Sequence, residues 1–480
     1  MNKQRLFELI DAKASEYAAL SDAIWEHAET RFEEKQSAAV LVEALKAAGF
    51  TVEEEVGGVP YAFVGTAGQG EPVIGFLGEY DALSGLSQVA GVAERKPLVP
   101  GAPGHGCGHH LLGVGSLAAA AALAQYLAEN NLPGTVKYFG CPGEEGGSGK
   151  AFMAREGVFA DLDAAITWHS GTMNRVASGS SLANIQVYYR FTGRSSHAAA
   201  SPHLGRSALD AVELMNVGVN YLREHVIPEA RIHYAVIDTG GKSPNVVQPR
   251  AEVLYLIRAP KNSIVKEIYE WVNDIARGAA LMTQTQVEIE VDKACSNLIP
   301  NEVLEKLMHA NLEAVPPLTY TPEEEAFAQA IRSTLGEAEL SKEREALIYR
   351  YGGREVRQLA QALEGKALHT DVLPHISYDQ PMMGSTDVSD VSWIVPTVQC
   401  YTSCYALGTP GHSWQMVAQG KSSWAHKGML LAATAMAGTG LDLILQPEQL
   451  AAAKAELEER LGGESYECPI PAGVQPKPVK

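Results

Sequence analysis

Apolar positions recur at helical spacing over residues 3–28 and 36–48, the second stretch ending at Gly49. The pattern then changes. Val73-Ile-Gly-Phe-Leu-Gly-Glu79 is a continuous apolar run of strand length, and Thr135-Val-Lys-Tyr-Phe-Gly-Cys141 and Ala164-Ala-Ile-Thr-Trp168 are further strands. Residues 111–129 and 149–157 read as helices between them. Buried apolar strands that alternate with helices predict a parallel, two-sided α/β sheet. In such sheets ligands bind in the crevice beyond the carboxyl ends of the strands.

After residue 183 the period becomes two. Ile185, Val187, Tyr189 and Phe191 alternate with Gln186, Tyr188 and Arg190, the mark of a half-exposed strand. A helix at 205–225, strands near 232–238 and 246–257, a helix at 263–281 and a strand at 285–292 complete a β-α-β-β-α-β order, that of small ferredoxin-like modules. The chain therefore divides into a larger discontinuous domain, 1–183 and 294–480, with a second domain, 184–293, inserted into it. Residues 300–385 are charged and weakly patterned; only helices at 302–313 and 322–335 are legible there. The Pro-rich end, 469–480, reads as extended.

Composition narrows the function classes. Of the 480 residues, 57 are acidic and 38 basic, a formal net charge of −19. Such a surface repels phosphate backbones and anionic lipid, which argues against nucleic acid and membrane as partners. No apolar run approaches the ~20 residues of a membrane helix; the longest, Leu111 to Leu127, is broken by Gly113 and Gly115. The N-terminus runs into a charged amphipathic helix without a leader pattern, so a cytoplasmic protein is expected. The six cysteines are scattered, which disfavours a disulfide framework and leaves a thiol free to ligate.

The strand ends carry the chemistry. Asp81 follows the first strand, Glu144-Glu145 the second and His169 the third; His412 follows a further strand predicted over 397–407. Gly104-His-Gly-Cys107-Gly-His109-His110 adds a thiol and imidazoles in a glycine-rich loop that can wrap an ion. Thiolate with imidazole favours zinc or another borderline transition metal over magnesium or calcium. Adjacent carboxylates at 144 and 145 point apart, so one can ligate while the other meets a water. Gly149-Lys150 invites a phosphate-loop reading, but the spacing is too long, Ala151 stands where Ser or Thr is needed, and two carboxylates would repel phosphate. His412, in the tight turn Gly408–Trp414, is preferred over His426, which sits on a predicted helix. In the inserted domain Arg194-Ser-Ser-His197 closes the first strand, and Asn245 and Arg258 flank the third. An Arg at a strand end suits bidentate grip of a carboxylate, though a surface ion pair is the bland alternative.

These residues resemble the M20 family of metallopeptidases, nearest to its amidohydrolase branch, which cleaves N-acyl and aminoacyl amide bonds. Gly106-Cys-Gly-His109 is similar to that branch's Cys-Gly-His motif, Pro142-Gly-Glu-Glu145 to its Pro-x-Glu-Glu, and Ser196-His-Ala…Pro202-His-x-Gly205 to its lid motif. The resemblance runs from about residue 20 to 440 and is weakest over 300–385. It implies an α/β fold: a mixed-sheet, dinuclear-metal exopeptidase-like catalytic domain with an inserted ferredoxin-like α+β lid or dimerisation domain. It also implies two divalent metal ions, zinc or manganese, on Cys107, His109, Glu145, His169 and His412, with Cys107 as the bridge. Glu144 would be the general base, His197 would stabilise the oxyanion, in its own or a partner's active site, and Asn245 and Arg258 would hold the substrate carboxylate. Where others of the family carry a His-x-Asp ligand motif, this chain has Glu79-Tyr-Asp81, which leaves Asp81 behind the ligands and not among them. A homodimer, or a heteromer with a related A-type subunit, is the implied assembly. Two other classes stand beside this one: a lid-donating partner whose chemistry lies on another subunit, and a cysteine-nucleophile hydrolase using Cys107 with His109.

Overall fold

Side chains along each strand of the larger sheet alternate between two apolar layers. The computed structural model describes residues 3–351, 354–377 and 381–478. Residues 352–353 and 378–380 of the weakly patterned segment, and 479–480 of the predicted tail, lie outside the described residues. The strands are β1 (Thr51–Glu54), β2 (Phe63–Gln69), β3 (Val73–Glu79), β4 (Gly134–Cys141), β5 (Ala164–Gly171), β6 (Arg175–Val176), β7 (Ala183–Thr192), β8 (Arg231–Asp238), β9 (Arg250–Ala259), β10 (Gln286–Cys295) and β11 (Thr397–Ser403). Ile74 and Phe76 of β3, Val136 and Tyr138 of β4, and Ile166 and Trp168 of β5 face a layer built from helices that include 109–130, 302–314 and 423–445. Leu77, Phe139 and Ala165 face the opposite layer, with Phe152 and Val391.

The order of the larger sheet is β1-β2-β4-β3-β5-β11-β6. Its centre, β4-β3-β5-β11, is parallel; β1, β2 and β6 pair antiparallel at the edges. The sheet is therefore mixed, as the resemblance implied, with the parallel strands expected from the strand–helix alternation at its centre. The antiparallel strands are short or joined without helices, and the alternation of long elements does not register them. Because β3, β5 and β11 run side by side, their carboxyl ends, and the residues that follow, converge on one rim.

The second sheet, β10-β7-β9-β8, is antiparallel, with helices 208–222 and 262–283 on one face. Ala251, Val253, Tyr255, Ile257 and Ala259 of β9 are buried in strict alternation. Tyr188 departs from its expected exposure and is buried, its ring under the Arg190 guanidinium. Two further corrections concern helices. The stretch 3–28 is two helices, Gln4–Asp11 and Ala14–His27. His109–Asn130 and Ser423–Leu445 are each long and apolar enough to cross a membrane, contrary to the expectation from the sequence. Both are 83% buried inside the fold, which accounts for their apolarity. Within 300–385 two more helices lie at Glu337–Tyr351 and Arg354–Ala362, their charged sequences having masked them.

Candidate active site

The loop before helix 109–130 is shaped by Gly108, whose φ of +81° is open to glycine. A Cβ there would lie 2.2 Å from both Ser170 Oγ and Tyr405 Oη, so the backbone can approach β5 only without a side chain. This brings Cys107 Sγ to 3.4 Å from His169 Nε2 at the end of β5. The turn holding His412 is tied to the same loop by His412 N donating to Gly106 O at 2.9 Å. His412 has a φ of +55°, a left-handed backbone that costs a β-carbon-bearing residue about 1 kcal/mol. On the other side Glu145 N donates to Asp81 Oδ2 at 2.7 Å.

Two groups of possible ligand atoms result, Cys107–His109–His169 and Cys107–Glu145–His412, the atoms of each lying within 4.8 Å of one another. Cys107 belongs to both. Each imidazole on the first group is oriented by its other nitrogen: His109 Nδ1 donates to Asp81 Oδ1 at 2.8 Å and His169 Nδ1 to Ser170 O at 2.9 Å. Both Nε2 atoms are thereby left as acceptors facing the sulfur. His109 Nε2 is buried without a hydrogen-bond partner, and so is Glu145 Oε1, although His412 Nε2 stands 2.9 Å from it. Buried acceptors of this kind, on a thiol, imidazoles and a carboxylate, fit a divalent transition metal. Burial pushes the Cys107 thiol well up, with Glu145 adding to it, as expected of a thiol that ionises only against a cation.

The two glutamates differ. Burial and the charges of Glu79, Glu145 and Asp387 hold the Glu144 carboxyl well above its ordinary range. Burial would raise Glu145 too, but His412 and His109 outweigh it and bring it down to about 2. Gly143, with φ +66°, turns the chain between β4 and this pair.

Behind the pair lies a buried network that the sequence pattern did not reveal. Lys150 Nζ is 2.6 Å from both Glu79 Oε1 and Asp387 Oδ1, and all three are fully or nearly fully buried. Glu79 Oε2 in turn stands 3.2 Å from His109 Nε2, and Glu79, His109 and Glu144 form a third cluster of possible ligand atoms. Glu34 Oε1 accepts from Gly143 N at 2.8 Å. Arg31 donates to Gly146 O and pairs at 3.1 Å with Asp292 of β10, joining the Glu144–Glu145 turn to the second sheet. The apolar end of β3 continuing into Glu79, and a lysine just past the glutamates, were the available signals.

The other imidazoles of the glycine-rich loop turn away. His105 Nε2 contacts Ile24 O and His110 Nε2 contacts Gly420 O, each at 3.0 Å; burial depresses His105 to about 3 and His110 well below its usual value. His426 pairs with Asp22 at 3.0 Å and joins none of the ligand groups. Cys107, His169 and His412 line a cavity of about 330 Å³ with Met173, Arg175, Leu347 and Tyr401. His197, Asn245 and Arg258 do not line it. His197 and Asn245 meet on an exposed loop pair of the second sheet, where Ala198 N donates to Asn245 O at 2.9 Å. Arg258 NH1 donates to Ser385 Oγ at 3.1 Å.

Residues 75–438 match the model of peptidase family M20/M25/M40. The chain belongs to that family. Its members' fold is seen again in a dinuclear metal-binding M20 peptidase from Bacillus subtilis, with a TM-score of 0.55 and 16% identity, covering 91% of this chain and 99% of that one. Among curated proteins the chain is 50% identical, over 98% of both lengths, to the B-type subunit of p-aminobenzoyl-glutamate hydrolase from Escherichia coli (strain K12). It is 29% identical to the Xaa-Arg dipeptidase of Mus musculus, over 96% of this chain and 93% of that protein. The chain is thus a hydrolase acting on amide bonds, in a family whose relatives bind metal.

Proposed function

We propose that the chain hydrolyses p-aminobenzoyl-glutamate to p-aminobenzoate and glutamate, with Glu144 moving the proton beside two divalent cations that Cys107 would help to hold. The observation that carries the reading is the sharing of Cys107 between two ligand groups, with Glu144 Oε2 4.0 Å from His109 Nε2 on one side of them. Half identity over nearly the whole length to the Escherichia coli protein narrows the substrate.

His109 and His169 would hold one cation and Glu145 and His412 the other. When bound, such a pair supplies a lowered water pKa and polarisation of the carbonyl oxygen. Glu144 then takes a proton from the water that attacks the amide carbon, and delivers it to the leaving nitrogen. Burial and the neighbouring carboxylates raise its proton affinity above that of an ordinary carboxylate, which favours its taking up the proton. His197 Nδ1 accepts from Ala199 N and Ala200 N at 3.2 and 3.1 Å, so its proton resides on Nε2, where it can be donated to an oxyanion. Because His197 is exposed and outside the cavity, it acts once the inserted domain, 184–293, closes as a lid, or in a partner's site. Asn245 and Arg258 bind the substrate's α-carboxylate in that closed state.

Zinc or manganese is the metal in this reading, and the cytoplasm its setting. The assembly is a homodimer or a heteromer with an A-type subunit, since the Escherichia coli relative is by name one of two differently lettered subunits. A second reading, a lid-donating partner without chemistry of its own, is disfavoured by the full ligand and base set on this chain. The test is turnover of p-aminobenzoyl-glutamate by the purified, metal-loaded chain, with and without an A-type subunit. Release of p-aminobenzoate by the chain alone supports the proposal; release only when the partner's own glutamate base is intact, whatever the state of Glu144, overturns it.

A further inference from the structure

Three neighbouring strands put one residue each into a single row across the rim of the larger sheet. In β5, β11 and β6, His169 is registered with Tyr401, and Tyr401 with Arg175. Cross-strand partners present their side chains to the same face, so the row runs from a candidate metal ligand through an aromatic ring to a guanidinium. The geometry follows this register. The His169 and Tyr401 rings lie 5.7 Å apart, and Arg175 Cζ sits 4.1 Å from the Tyr401 centroid. All three line the cavity that holds Cys107 and His412.

Arg175 is partly buried, and among the described residues it forms no ion pair with a carboxylate. Glu305, the acid that lines the adjoining small cavity with Arg175, is already engaged by Ser178 Oγ at 2.7 Å and His375 Nε2 at 2.8 Å. A guanidinium stacked on a ring is held in orientation while its edge keeps donors for a planar anion. The rest of the wall mixes the apolar Met173, Leu347 and Met416 with the neutral Ser170, Thr172 and Thr409, so among the described lining residues Arg175 is the fixed positive charge that an anion meets. Adjacent strands lie about 4.8 Å apart, so Arg175 stands two strand spacings, or about 10 Å, from the His169 backbone. That is the range of a group a few bonds from the bond being broken, not of the reacting carbonyl.

We infer that Arg175, stacked on Tyr401, is a specificity-determining residue that binds the side-chain carboxylate of the substrate's amino acid. This rests on the amide-hydrolase reading above and assigns the residue that selects N-acyl amino acids with a second, distal carboxylate.

The experiment compares ligands that differ only in that group. Binding of N-acetyl-glutamate and N-acetyl-glutamine to the full chain is measured by calorimetry, alongside kcat/KM for p-aminobenzoyl-glutamate and p-aminobenzoyl-glutamine. The wild type is expected to favour the acid at least about 10-fold in both assays, the worth of one charge-assisted bidentate contact. Arg175→Met, which keeps the apolar stem, removes that preference and leaves the glutamine compounds within about 3-fold of wild type; Arg175→Lys restores it in part. An unchanged acid-to-amide ratio in Arg175→Met, or no preference in the wild type, overturns the inference. If neither compound is turned over while the binding preference stands and vanishes in Arg175→Met, the hydrolase substrate fails and Arg175 does not.

Discussion

Asp81 divides its two oxygens between the two halves of the site: Oδ1 receives His109 Nδ1 at 2.8 Å and Oδ2 receives Glu145 N at 2.7 Å. One buried carboxylate thereby fixes the tautomer of an imidazole and the backbone of a glutamate from opposite candidate ligand groups. Asp81→Asn is expected to keep the fold and to lower metal affinity about 10–100-fold, the usual effect of removing a partner behind a ligand. Competition against a chelator of known affinity measures it; an unchanged affinity would show that His109 needs no such orientation.

Cys107 is the residue that both ligand groups share. Cys107→Ala should therefore reduce bound metal from two ions per chain to one or none, and not merely weaken one of them. Metal analysis of the purified variant reads this directly. Stripping the wild type with a chelator should lower its Tm, because a ligand bound only by the native state stabilises it, and returning metal should restore it.

The Lys150 ammonium lies between Glu79 and Asp387 with almost no access to water. Burial opposes its charge, yet Asp387 and Glu79 hold its pKa well above the ordinary lysine value. Lys150→Met leaves two buried carboxylates without their cation and is expected to cost about 3–5 kcal/mol. Denaturant unfolding measures the loss, which should be smaller in Lys150→Met with Glu79→Gln added.

Asp390 gives a pH test remote from the ligand groups. Burial raises its carboxyl to about 7, against hydrogen bonds from Ser296 and Tyr466. A carboxyl whose folded pKa exceeds its unfolded value stabilises the fold below the unfolded pKa, and that contribution is lost as pH rises through the folded value. Wild-type stability should therefore fall between about pH 4 and pH 7 from this group. Asp390→Asn should flatten that fall, with its advantage greatest near pH 8 and gone near pH 4. Thermal unfolding across that range is the measurement.

Much of the rim was readable because two independent regularities met there. Continuous apolar runs gave β3, β4, β5 and β11, and the rule for their carboxyl ends then pointed to Asp81, Glu144, Glu145, His169 and His412. Periodicity of two likewise gave the second sheet, whose β-α-β-β-α-β order the structure reproduces. What lay outside that logic was long-range pairing. Nothing local marks Asp387 as the partner of Lys150 across more than two hundred residues, or Asp292 as that of Arg31. Arg175 was missed because β6 is a two-residue strand, too short for any period to register. Leu347, which lines the cavity, sits on a charged helix with no clear apolar face.

In the proposed division of roles, Cys107, His109, Glu145, His169 and His412 hold the metals while Glu144 only moves the proton. The most direct measurement is metal content and kcat of Glu144→Gln beside the wild type, each loaded with the same metal. Two ions per chain in both proteins, with kcat in the variant reduced at least about 10³-fold, is the predicted result. Turnover by the variant within about 10-fold of wild type, or metal lost along with the activity, would contradict the separation of Glu144 from Glu145.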